Sequence, residues 1–126
     1  MRNKIFFIKH TKVLITLDKD RLYYPDFLVM TVRNTGNTDI DLDRPLLVFS
    51  DFWMKRKFRI NGTNKYTFYP LYLGVGETHD LRIDLNYFYR YDRKLKKYPK
   101  TKIVVFNVKG KRLAEKSVFL RKTLFR

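Results

Sequence analysis

The chemistry open to this chain is bounded by its side chains: it has two histidines, His10 and His79, and no cysteine. Thiolate nucleophiles, disulfides and cysteine-ligated zinc are therefore excluded. His79 falls in phase with Leu81 and Ile83 on the inward parity of a strand, which fits a packed strand-end residue better than a general base. No Gly-x-Ser-x-Gly elbow, phosphate-cradling glycine loop or His-Glu-x-x-His pair occurs. Asp39, Asp41 and Asp43 alternate and would share a face of an extended chain. A calcium site needs roughly six to eight oxygens, and the segment lacks the glycine and distal glutamate of an EF-hand loop, so these residues read as turn-forming aspartates of a solvated loop. No catalytic residue, metal ligand, cofactor or small-molecule substrate is expected, and the chain reads as non-enzymatic.

The most distinctive constellation is the run from Asn86 to Tyr98. Phe88, Tyr91, Leu95 and Tyr98 recur at helical spacing with Asn86 available as N-cap, which predicts a short helical insert near residues 86–98 laid on the rest of the fold. Arg90, Arg93, Lys94 and Lys97 recur at i, i+3, i+4 and i+7 and would form a parallel stripe facing water. Lys100 follows directly, and Lys102, Lys109, Lys111 and Arg112 lie further on. A stripe of this kind beside tyrosines can hold phosphates and stack on bases, attract anionic lipid heads, or meet an acidic protein surface. It can also simply keep a crossover soluble. Nothing resembles an RNP aromatic motif or a helix-turn-helix, so sequence-specific nucleic-acid reading is not expected.

The elements that must carry this insert read as β structure. From Lys12 to Arg121 short alternating segments are separated by turn residues, as in an all-β sandwich. Val13, Ile15 and Leu17 share a face, as do Leu28, Met30 and Val32 before the turn Asn34-Thr35-Gly36-Asn37, where glycine and asparagine tolerate positive φ. Leu46 to Phe49 is apolar on both faces and predicts a central strand. Lys55, Lys57 and Arg59 alternate with Phe58 and Ile60, the pattern of an edge strand protected by charge. Tyr66 to Leu73 reads as an aromatic edge strand interrupted by Pro70. Leu81, Ile83 and Leu85 form another inward set; Ile103–Val108, β-branched and nearly continuous, predicts a second central strand, and Leu113–Leu120 completes the series. The expected core includes Leu28, Met30, Val32, Val48, Leu81, Ile83, Ile103 and Val105.

The chain of 126 residues is one domain by length, and it can bury about two thirds of its unfolded surface without a staple. Its 28 Lys plus Arg exceed 12 Asp plus Glu, and the excess is uneven: +4 over residues 1–80 (13 against 9) and +12 over residues 81–126 (15 against 3). Sixteen lysines beside 9 Tyr, 11 Phe and 7 Asn also fit a codon bias toward A and T, so the total alone does not imply a partner. No apolar run approaches the length of a membrane span. The apolar stretch Ile5–Ile8 is stopped by Lys9 and His10, too short for a signal sequence, so residues 1–10 read as an N-terminal strand or arm and residues 121–126 as a tail; with no signal peptide visible the localisation stays unknown, a cytoplasmic one being favoured. The sequon Asn61-Gly62-Thr63 would matter only in a eukaryotic secretory context.

The run Leu28-x-Met30-x-Val32-x-Asn34-Thr35-Gly36-Asn37-x-x-Ile40, with Gly76-Glu77-x-x-x-Leu81-x-Ile83 some 35 residues later, resembles strand signatures of bacterial and archaeal immunoglobulin-like domains, including the CARDB-type adhesion-related modules. Val75 stands where that group usually has proline, and the Tyr- and Lys-rich insert between 86 and 100 replaces its ordinary short connection. The resemblance covers roughly residues 12–120 and implies an immunoglobulin-like antiparallel sandwich of about seven to nine strands spanning 1–126 as a single domain. Its motifs mark turns rather than a site. The expected function is an interaction module working through surface contacts with a protein, using edge strands and loops. The alternative is nonspecific binding of nucleic acid, another polyanion or an anionic surface by the basic C-terminal third, with Arg90, Arg93, Lys94, Lys97 and Lys100 as contacts. Carbohydrate binding on Trp53, Tyr66, Tyr69 or Tyr72 ranks last, because each is as easily core.

Overall fold

The computed structural model describes residues 8–63 and 67–122. Among them the chain forms β1 (Val13–Lys19), β2 (Phe27–Asn34), β3 (Ile40–Leu42), β4 (Leu46–Ser50), β5 (Lys55–Arg59), β6 (Leu71–Leu73), β7 (Thr78–Asp84), a helix α1 (Leu85–Tyr91), a 3-10 helix (Arg93–Lys97), β8 (Lys100–Phe106) and β9 (Arg112–Phe119). All strand pairings are antiparallel. The strands form a sheet β1-β2-β7, a sheet β5-β4-β8-β9 and a small β3-β6 pair. The fold is all-β, with β4 and β8 central and β5 at an edge, as their apolar and charged patterns require. The expected first strand over Ile5–Ile8, the tail beyond Lys122 and the reading of Tyr66 fall wholly or largely outside the described residues.

Both larger sheets turn one face inward. Ile15 and Leu17 of β1, Leu28, Met30 and Val32 of β2, and Leu81 and Ile83 of β7 meet Leu47 and Phe49 of β4 and Ile103 and Val105 of β8 in a single cluster. Removing each such side chain from water contributes about 1.5–3 kcal/mol before chain entropy is counted. Val48, expected among these residues, is buried but lies outside that cluster, on the opposite face of β4 from Leu47 and Phe49. Its cross-strand neighbours there are Lys57 and Lys102. Long aliphatic stems can cover a valine while their ammonium groups stay in water.

Three expectations are corrected. The alternating aspartates are not simply a loop: Ile40–Leu42 is a short strand with Ile40 and Leu42 buried and Asp41 exposed, paired to β6. Among the described residues of the predicted aromatic strand, only Leu71–Leu73 form one, beginning after Pro70, which has no N–H to give a ladder. The insert is not one helix capped by Asn86. Asp84 caps α1, its carboxylate accepting from the backbone N–H groups of Asn86 (3.0 Å) and Tyr87 (3.4 Å). The Asn86 amide instead donates to Asp26 at 3.2 Å. Leu85, assigned to the preceding strand, is the buried first residue of the helix.

Candidate functional site

The basic connection between β7 and β8 breaks at Asp92. This residue is extended (φ −150°), closes α1 through its N–H and caps the 3-10 helix through its carboxylate, which accepts from the Lys94 N–H at 3.0 Å. The other carboxylate oxygen takes the Arg56 guanidinium of β5 at 2.6 Å. The predicted continuous stripe is therefore bent into a corner pinned to the four-stranded sheet. Of the predicted apolar face, Leu95 and Tyr98 are buried and Phe88 half-buried, whereas Tyr91 stands exposed. Phe88 and Tyr89 pack on Phe49, with ring centroids at 5.9 and 6.4 Å, and Phe88 and Tyr91 meet Phe58.

The bend keeps the cations together. Arg90, Arg93, Lys94 and Lys97 line one shallow depression with Lys96, Tyr91 and Asp92. None of these five basic residues is ion-paired among the described residues, and Lys96 rests 5.6 Å from the centre of the Tyr89 ring. The neighbouring acids are engaged: Asp84 and Asp92 cap helices, and Asp26 receives Arg21 at 2.6 Å and the Asn86 amide. Lys100 is not part of this corner. It lies on the outward face of β8, in register with Ser50, and Ser50 is also in register with Lys55.

That outward face is a second basic surface that residue spacing alone left unassembled. Val48 pairs with both Lys57 and Lys102, so Lys55, Lys57, Lys100 and Lys102 share one side of the sheet. Arg59 joins them, its guanidinium 4.7 Å over Phe106. Glu115 meets Lys102 (3.6 Å) and Arg112 (2.8 Å). The Lys-x-Lys-x-Arg pattern of β5 and the Lys-x-Lys pattern of β8 were the available signal; strand pairing was needed to put them side by side.

A different surface opens between β5 and β7, each of which ends its sheet among the described residues. A cleft of about 450 Å³ runs between them, lined by Phe58, Ile60, Leu81, Ile83, Tyr87 and Phe88, with Arg59 and Arg82 among its polar residues. The Arg82 guanidinium lies 3.7 Å over Phe27.

Elsewhere, Tyr69 and His79 form a packed pair, the hydroxyl 2.7 Å from Nε2 and the rings edge to face. Burial pushes the Tyr69 phenol well above its ordinary value and moves that of Tyr89 up to about 12. Among the described residues no three His, Asp or Glu side chains gather as a metal site. No helix there is long and apolar enough to cross a membrane. Trp53 and Tyr72 are exposed and Tyr69 is buried.

The Arg56 hydrogen bond holds the Asp92 carboxyl below its ordinary value of 3.8, helped by the Lys94 N–H. A carboxyl depressed on folding contributes stability that is complete above its unfolded value and is lost as pH falls through the folded one. Asp92→Asn is thus expected to lower the melting temperature at pH 5–7, with the gap to the parent closing as pH drops below about 4. A gap of constant size down to pH 2 would mean that the corner is not held by this charge.

No protein-family model and no curated protein sequence matches the chain. Among solved structures it is similar to one described as ApaA from Bordetella pertussis, with a TM-score of 0.53, 13% identity, and coverage of 93% of this chain and 100% of that one. At that identity the likeness shows the fold and nothing further.

Proposed function

We propose that the protein is a non-enzymatic interaction module in an immunoglobulin-like sandwich, acting through surface contacts with a partner protein. The 3 + 4 strand arrangement supports the finer kinship, since immunoglobulin-like domains pack two antiparallel sheets in this way. The observation that carries the function is the cleft between the edge strands β5 and β7. An extended segment entering it meets two strands that end their sheets among the described residues, and apolar side chains on the floor, the two requirements of strand addition. Arg59 and Arg82 at the cleft and Lys55 and Lys57 along β5 favour a segment carrying acidic residues.

The test is selection of ligands from a displayed library of random peptides. Selected peptides should alternate apolar with acidic positions, slow amide exchange along β5 and β7 when bound, and lose at least tenfold in affinity with Tyr87→Ala, an exposed cleft residue. Ligands that leave both edges unprotected would remove this reading.

A second reading, nonspecific polyanion binding, is favoured by the convergence of Arg90, Arg93, Lys94, Lys96 and Lys97 on one depression. Four phosphate contacts on duplex DNA would give a log–log salt slope of about −3 to −4, and alanine at Arg93 and Lys97 should reduce its magnitude by about 2. An unchanged slope would assign binding to other cations.

A further inference from the structure

The turn between β4 and β5 carries Phe52, Trp53 and Met54, which are 60%, 84% and 60% exposed. These are three consecutive large apolar residues at a hairpin tip, and the turn is locked in place. One Asp51 carboxylate oxygen accepts from the Trp53 N–H (2.8 Å) and the Met54 N–H (2.6 Å), and the Asp51 N–H donates to the Met54 carbonyl at 3.0 Å. Those backbone bonds hold the Asp51 carboxyl below its ordinary value, so the clasp is charged at neutral pH. Phe52 and Trp53 meet edge to face with centroids 4.9 Å apart. A single exposed apolar side chain needs no explanation, but a fixed cluster of three marks a contact surface.

Its neighbours identify the contact. Arg56, two residues past the turn, is the residue that grips Asp92 in the middle of the basic corner, so the apolar tip and the corner lie at the same end of the sandwich. Ser50, just before the turn, is in register with Lys55 and Lys100, which places two further cations at the base of the tip. An apolar, tryptophan-bearing point set among lysines and arginines that, Arg56 apart, have no acidic partner among the described residues matches the two layers of an anionic bilayer surface. The aromatic ring suits the headgroup level, and the cations suit the negative surface potential. A nucleic acid would use the same cations yet has no apolar layer for Phe52 and Met54 to enter.

We infer that this end of the protein docks on anionic phospholipid membranes, with Phe52, Trp53 and Met54 inserting at the interface while Arg90, Arg93, Lys94, Lys97 and Lys100 hold the headgroups. The site adjoins the β5–β7 cleft at Tyr91, but Phe52, Met54, Arg93, Lys94 and Lys97 do not line that cleft, so substituting them tests this inference and leaves the peptide selection there unaffected.

Trp53 is the only tryptophan in the chain, so its emission reports insertion directly. With vesicles of 30% phosphatidylserine in phosphatidylcholine at 150 mM salt, the emission should shift to the blue and the protein should co-sediment. Pure phosphatidylcholine should give neither effect. Each cation near the surface is worth about fivefold in partitioning, so alanine at Arg93, Lys94 and Lys97 together should weaken sedimentation on the order of a hundredfold. The double variant Phe52→Ala with Met54→Ala should weaken it at least tenfold while leaving Trp53 as the probe. All five substituted residues are exposed, so circular dichroism should match the parent. Sedimentation with unshifted Trp53 emission, or no sedimentation at all, would overturn the inference. So would single-stranded DNA shifting the emission at this salt when vesicles do not, which would award the corner to the polyanion reading.

Discussion

Phe49→Ala is expected to destabilise the protein by roughly 3 to 5 kcal/mol, the range for truncating a fully buried aromatic ring. Phe49 is 0% exposed and stands where the fold's two levels of organisation join. On one side it belongs to the inter-sheet cluster with Leu47, Ile103 and Leu81. On the other its ring meets Phe58 (6.0 Å, edge to face), Phe88 and Tyr89, so it seats α1, the helix that leads into the basic corner. Its removal leaves a cavity beneath α1 and loses aromatic contacts worth about 0.5–1.5 kcal/mol per pair beyond burial. In a domain of this size the melting temperature should fall on the order of 10 °C or more. Urea unfolding should show a lower midpoint at similar slope, because the surface exposed on unfolding hardly changes. A loss under 1 kcal/mol would mean that the helix does not rest on this ring. Ile83→Ala, in the facing sheet, gives an independent measure of the same core and should cost roughly 2 to 5 kcal/mol.

Asn34→Ala should cost roughly 2 to 4 kcal/mol, although it removes a polar group and creates little cavity, because it takes a donor from the buried Leu73 carbonyl and the half-buried Thr38 carbonyl at about 1–3 kcal/mol each. Asn34 is 1% exposed. Its amide donates to the carbonyls of Thr38 (2.9 Å) and Leu73 (3.1 Å), and its side-chain oxygen accepts from the Gly36 N–H at 3.1 Å. One side chain thereby holds the turn after β2 and ties it to β6. Asn34→Asp keeps the acceptor for Gly36 but sets a carboxylate against two carbonyls, so it should be at least as damaging near pH 7 and partly recover in acid as that carboxylate protonates. Equal stability of all three proteins in urea would refute this account of the turn.

The same turn shows how far local pattern reaches. Asn34-Thr35-Gly36-Asn37 announces a reversal in any reading of the chain, and a reversal is there. The reason offered for glycine was positive φ, yet the described glycines with positive φ are Gly76 and Gly110. Gly36 is needed for close approach: a Cβ there would stand 2.6 Å from the His10 carbonyl oxygen and 2.8 Å from the Lys12 nitrogen. Residues 8–12 lie against the turn through Asn37, which bonds the His10 N–H and the Ile8 carbonyl, both at 2.9 Å. That demand comes from a segment about 25 residues earlier in the chain.

Alternation along Val13–Leu17, Phe27–Val32 and Leu81–Ile83 was enough to determine the all-β class and most inward-facing residues, because period-2 burial is a property of each strand by itself. The central place of β4 and β8 and the edge place of β5 followed from composition in the same way. Tertiary structure alone decided what depends on partners distant in sequence. Three-residue strands such as β3 carry too little pattern to stand out and exist through pairing with β6. The helical run from Asn86 to Tyr98 breaks where Arg56, 36 residues earlier, takes the Asp92 carboxylate. Five cations of that run still meet at one corner, while Lys100 goes to a sheet face shared with Lys55 and Lys57. Charge is written into the chain residue by residue, but a charged surface is a sum over neighbours, and strand register and ion pairing choose the neighbours.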